Sequence, residues 1–283
     1  RRRGRWLLLT RPARISIASL AIGLSLVSIP TTLAALHTLC ADATTTCSNT
    51  LSITPEYVRD LRALGISLDT FALYEIALLI AFAVVYIAIS ILLFWRRSDD
   101  RMALFASLTL MTFPAAFNYA ALATLPAPWW WPSQFLILLG NSSFFLFFYL
   151  FPTGRFVPRF TRWLWIGVLI FWTVNGFFPF LPSLIRNVLF LGIVGTIPIA
   201  QIYRYWRVSN TEQRRQTKWV VFGISIGFGG FLASHVFLTF FPSLFPQGPL
   251  ADMIMGTVVF LFLLLVPLSI GIAILRSHLF DID

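Results

Sequence analysis

The stretch FALYEIALLIAFAVVYIAISILLFW, residues 71–95, decides what kind of protein this is. Its 25 positions hold one acidic side chain, Glu75, no basic one, and neither glycine nor proline. About 20 such residues in a helix cross a bilayer, because each advances the helix by about 1.5 Å and the hydrocarbon core is about 30 Å thick. Within that core a helix satisfies all its own backbone hydrogen bonds. The run stops on RRSDDR, residues 96–101, a charge cluster that belongs at the headgroups. A membrane-spanning helix ending on a basic turn is the reading that fits.

Outward from this stretch the same alternation recurs. Spans are expected at about 15–37, 71–95, 102–125, 133–151, 163–182, 186–205, 219–241 and 253–275. Short connectors rich in proline, arginine or polar residues separate them. The chain is 58% hydrophobic and 11% charged, with a mean hydropathy of +0.82, whereas a soluble domain carries about a quarter charged residues. The expected fold class is all-α: a polytopic transmembrane helical bundle of about eight spans, one domain over 1–283. The first span could be a signal peptide, but its apolar run is too long for one and further spans follow.

Charge then sets the topology. With RRRGRW in the cytoplasm, 18 of the 21 Lys and Arg residues fall on inner segments, and only Arg59, Arg62 and Arg186 fall outside. Such asymmetry is the positive-inside pattern, so both termini are expected in the cytoplasm. The net charge of +10 is thereby explained as topology, and nucleic acid is not an expected partner.

The largest outer loop, 38–70, holds both cysteines, Cys40 and Cys47, on the oxidising side of the membrane. A disulfide closing a small loop is the economical reading, and metal binding would need more ligands than the loop offers. Within it TPEYVRDLRALG reads as a short helix with Thr54 as N-cap, Pro55 at the first position and Gly65 as its stop. Val58, Leu61 and Leu64 are expected on one apolar face. The helix is either a tethered cap or a lid over an outward-facing pocket.

Polar groups at membrane depth are costly and therefore candidates for function. Glu75, Asn118 and His235 are the candidate ligand-binding residues for a small or lipophilic signal, although hydrogen bonds that fix helix packing are the commoner role. His37 and His235 as haem ligands is a weak alternative, since they sit at unmatched depths with no second pair. In GISIGFGGFLAS, Gly223, Gly227, Gly230 and Ser234 line one stripe suited to a close helix crossing, inside the bundle or between protomers. No GxSxG, HExxH or Walker loop occurs, and no array of intramembrane acids suggests a transporter. No catalytic or metal-binding residue is assigned.

Four inner-face stretches remain: FWRRSDDRMALF, YLFPTGRFVPRFTRW, EQRRQTKWVVFG and the terminal GIAILRSHLFDID. Each is accounted for physically as a basic turn tying helices to the headgroups. As an ordered set they resemble the multi-pass sensor region of bacterial membrane histidine kinases, of the Chloroflexi type and loosely similar to quorum-sensing kinases. The resemblance covers nearly the whole chain. It departs at Ser277 and His278, where the family pattern has tyrosine and arginine. His278, one turn beyond the membrane exit and followed by leucine, lacks the acidic neighbour of a phospho-accepting histidine.

The resemblance implies the input half of a two-component sensor kinase, without catalytic activity in these residues. It implies a homodimer in a bacterial cell membrane, in contact with lipid, whose last helix passes a conformational signal to a cytoplasmic output domain after Asp283. Arg276, Asp281 and Asp283 are then the expected coupling residues. ATP and magnesium would be needed only by that kinase domain, as would the response regulator as partner. Rival readings are the same input region on a phosphatase or cyclase, or a stand-alone membrane transporter or enzyme.

Overall fold

The computed structural model describes residues 2–40, 53–96, 100–178, 181–241, 243 and 248–276. Cys47, Ser277, His278, Asp281 and Asp283 lie outside them. Among the described residues ten α-helices follow in order: α1 (Arg2–Leu36), α2 (Pro55–Ala63), α3 (Leu68–Arg96), α4 (Arg101–Phe117), α5 (Tyr119–Ala123), α6 (Trp130–Leu150), α7 (Thr161–Phe177), α8 (Ser183–Arg207), α9 (Thr211–Phe240) and α10 (Pro249–Arg276). The β-structure among them is an isolated bridge between Leu39 and Ile53.

Six segments are long and apolar enough to cross a membrane: Ser16–Leu36, Leu68–Arg96, Ala127–Leu150, Ser183–Arg207, Thr217–Phe240 and Pro249–Ile274. The all-helical, multi-pass expectation therefore holds, with six such helices rather than eight. The other two expected spans are shorter than read from sequence. The run 102–125 is interrupted at Asn118 (φ −88°, ψ 44°), four residues past Pro114, and divides into α4 and α5. The run 163–182 ends as α7 at Phe177, because Pro179 disfavours helical backbone at the residue before it.

Residues 71–95 lie within α3, whose two faces meet different surroundings. Phe82, Tyr86, Ser90 and Leu93 are buried, whereas Leu73, Ile80, Val84 and Ile91 are exposed. An apolar stripe of this length on an outer face is suited to lipid and not to water.

Neighbouring helices pack in a closed order: α3 on α4, α4 on α6, α6 on α7 and α8, α8 on α9, α9 on α10, and α10 back on α3. Helix α1 lies outside this ring against α4, α5 and α3. The ring's centre is aromatic. Phe113 and Phe144 stack at 3.7 Å, and Phe82 meets Phe260 edge-on at 4.8 Å. Each such pair adds about 0.5–1.5 kcal/mol beyond its buried area.

Between helices that lipid would solvate equally well, close packing and hydrogen bonds supply the cohesion. Gly223, Gly227 and Gly230 face α10 at the tightest seam. A Cβ at Gly227 would lie 2.7 Å from the Phe262 carbonyl oxygen, and one at Gly223 would lie 2.3 Å from the Ser269 side chain. The small-residue stripe thus closes an intramolecular crossing. Ser234 completes the row with its hydroxyl donating to the Gly230 carbonyl at 2.9 Å. Across other pairs, the Tyr86 hydroxyl donates to the Leu263 carbonyl at 2.9 Å, and Ser90 and Ser107 each donate to the other's carbonyl at 2.7 and 2.9 Å.

At the end bearing the basic turns, Arg204 departs from the role of headgroup anchor. It is 3% exposed, and its Nη2 donates to the carbonyls of Tyr149 at 3.0 Å and Arg155 at 2.5 Å. Its neighbour Gln201 donates to the Phe148 carbonyl. These ties fasten α8 to the last turn of α6 and, through Arg155, to the turn after it, which holds cis peptides at Phe151-Pro152 and Val157-Pro158 and a left-handed Gly154 (φ 72°).

Candidate functional site

At the opposite end, α2 forms as its sequence dictates. The Thr54 hydroxyl accepts from the Tyr57 N–H at 3.3 Å, and Pro55 needs no partner at the first turn. Gly65 (φ 73°) ends the helix in a Schellman turn, with its N–H to the Arg62 carbonyl and the Ile66 N–H to the Leu61 carbonyl. That turn corrects the expected apolar face. Val58 and Leu61 are buried, but Leu64 is the C-cap and 46% exposed, and Ile66 folds back in its place. The buried face rests on Leu36, Phe71 and Ala72, the adjoining parts of α1 and α3, and on Met253 of α10.

Two further contacts hold this end together. His37 sits between the Leu33 carbonyl at 2.8 Å and the Asp69 carboxylate at 2.7 Å, so both ring nitrogens are engaged. Those two partners, the backbone carbonyl first, raise its pKa above the ordinary histidine value. The Tyr74 hydroxyl meets the Met253 carbonyl at 3.0 Å and the Thr257 hydroxyl, joining α3 to α10.

Beneath α2 lies a cavity of about 500 Å³. Its walls include Thr32, Tyr57, Phe71, Glu75, Asn118 and Phe260, drawn from α1, α2, α3, the α4–α5 break and α10. A volume of this size suits a small molecule, for which pockets of about 300–1,000 Å³ are usual. A second, apolar groove of about 170 Å³ runs between α1, α3 and α4 and shares Thr32, Leu79, Asn118 and Ala121 with the first. The cavity bearing Glu75 and the apolar groove are therefore adjacent compartments.

The electrostatics have one sign. Glu75 is half-buried, Asp252 lies close by, and the lining contains no basic residue. Tyr57 feels both carboxylates. Burial first, then the nearby carboxylates of Asp252 and Glu75, hold Tyr57 well above the usual tyrosine range. The tyrosine accordingly remains a neutral donor.

Of the three candidate ligand residues, Glu75 and Asn118 line this cavity and His235 does not. His235 lies against Phe231 at 4.1 Å and near Phe190 of α8, with Nδ1 at 3.1 Å from the Phe231 carbonyl oxygen. Sequence reasoning also missed Thr32. It is 3% exposed, lines both compartments, and its hydroxyl has no hydrogen-bond partner. Its neighbours Ser28 and Thr31 bond back to their own helix, as hydroxyls in helices usually do, so nothing in the local sequence distinguishes Thr32. Cys40 follows Leu39, whose bridge to Ile53 leads into α2, and its N–H donates to the Ile53 carbonyl at 3.0 Å.

Compared with known proteins, the chain matches no protein-family model, no curated protein and no solved structure. The class defined by fold and site is a multi-pass helical membrane protein with a capped, acidic cavity at one end.

Proposed function

We propose that this chain is the membrane signal-input region of a bacterial sensor histidine kinase. The observation that carries the reading is the ordered set of basic turns, FPTGRFVPRF, EQRRQTKWVVFG and GIAILRSHLFDID, resembling that family along nearly the whole chain. The capped cavity supports it, because an input region needs a site that a signal can occupy. On this reading the chain crosses the membrane about eight times. Helix α4 continued by α5 makes one of the additional spans, and the 17-residue α7 makes the other at the short end of the usual range. The basic turns and both termini face the cytoplasm, and Cys40 and Cys47 close a disulfide on the outer side.

Signalling would be conformational. An occupant binding one packing of α1, α2, α3 and α10 better than another shifts the balance between them by that difference in affinity. Helix α10 contributes Phe260 to the cavity and runs to Arg276 at the other end, so it is the element able to carry the shift onward. Arg276, Asp281 and Asp283 would pass it to the output domain of a dimer. That domain would use ATP and magnesium and transfer phosphate to a response regulator.

The test is the reading frame beyond codon 283, followed by autophosphorylation of the complete protein in membranes. A dimerisation helix with a phosphorylatable histidine and an ATP-binding domain is expected there. A stop codon directly after Asp283, or a phosphatase or cyclase domain, overturns the kinase assignment.

A further inference from the structure

The cavity's charge and its rings select the occupant's polar end. Glu75 is the one charged lining side chain, Asp252 adds negative charge nearby, and neither carboxylate has an ion-pair partner among the described residues. Tyr57, Phe71, Phe117 and Phe260 supply aromatic faces. A half-buried carboxylate among aromatic rings attracts an ammonium group both directly and through the ring faces. It repels phosphate and carboxylate, which argues against a phospholipid headgroup. The adjoining groove, lined by Ile22, Leu26, Ile80, Ala83 and Val84 on α1 and α3, takes an alkyl chain.

From this geometry we infer that the cavity is a binding site for a free lipophilic amine, with its ammonium group at Glu75 and its chain in the groove between α1 and α3. The inference deepens the input-region reading by giving the class of signal. Its test reads binding alone, so the two are separable. Binding without any phosphorylation response would remove the input role and leave the site, and a responsive kinase without amine binding would do the reverse.

Equilibrium dialysis of radiolabelled octylammonium against the chain in phosphatidylglycerol nanodiscs, with empty nanodiscs as reference, measures this directly. Saturable binding above the reference is expected. Octanol and octanoate should bind at least about tenfold more weakly, since they lack the charge that Glu75 selects. Glu75→Gln should weaken octylammonium about tenfold, whereas Glu75→Asp, which keeps the charge, should stay within about threefold. Octanol binding as tightly as octylammonium overturns the inference. So does undiminished binding to a Glu75→Gln protein whose melting temperature is unchanged, or displacement of octylammonium by phosphatidylethanolamine added to the bilayer.

Discussion

Arg204 brings a guanidinium into the packed end of the bundle, where its Nη2 serves two carbonyls and its Nε and Nη1 meet none. Truncation to alanine would leave the carbonyls of Tyr149 and Arg155 unpaired and open a void, while relieving part of the cost of burying the charge. The loss dominates, since bonds from a charged donor contribute about 1.5–3 kcal/mol each. Arg204→Ala is expected to lower stability by about 2 kcal/mol, read from denaturant unfolding in mixed micelles. At the other end, His37 gives a pH signature. Its folded pKa is raised, so the contribution of its contact with Asp69 is fully present below the ordinary histidine pKa and is lost as pH rises through the raised value. An NMR titration should place His37 above 6.5 and show Asp69→Asn bringing it back toward that value. An unchanged value in Asp69→Asn would assign the shift to the Leu33 carbonyl alone.

At the scale of elements, the crossing of α9 and α10 depends on backbone reaching backbone. A side chain at Gly227 would strike the Phe262 carbonyl oxygen, which cannot swing aside as a side chain can, whereas a Cβ at Gly229 meets nothing within 4 Å. Gly227→Leu should therefore cost about 3 kcal/mol and Gly229→Leu close to nothing, by thermal unfolding in nanodiscs. The capping helix α2 behaves differently, because its apolar face is small. Leu61→Asp would place an unpaired charge where Leu61 is fully buried, so α2 should undock while the ring of spanning helices persists. Faster protease cleavage near Arg59 and Arg62 with an unchanged helical circular dichroism signal is the expected result. Loss of both together would mean that α2 is integral to the bundle.

The molecule as a whole is polarised, with basic turns at one end and the acidic cavity under α2 at the other. Cysteines introduced at Arg62 and Arg159 should report this in cells: Arg62→Cys labelled from outside, Arg159→Cys labelled only after permeabilisation. The reverse pattern would invert the topology and put the cavity inside. Much of this organisation was legible as one-dimensional pattern. Apolar run length located the spanning helices, because bilayer thickness imposes it locally, and the caps of α2 were readable because Thr54, Pro55 and Gly65 act within a few residues of themselves. Run length failed where helix interruption mattered, at Asn118 and before Pro179, since apolarity persists across a break.

By itself, then, the sequence determined the class, the helix-forming segments, the asymmetry of charge and the small-residue stripe on α9, all properties carried by neighbours in the chain. Only the tertiary structure decided which polar groups meet. It brought Glu75 and Asn118 to one cavity, separated both from His235, turned Arg204 from the headgroups into the interior, and left the Thr32 hydroxyl enclosed without a partner. Those outcomes depend on the rotation of each helix about its own axis and on which helix lies beside it. Both are set by packing between residues as far apart in sequence as Thr32 and Phe260, and no local pattern encodes them.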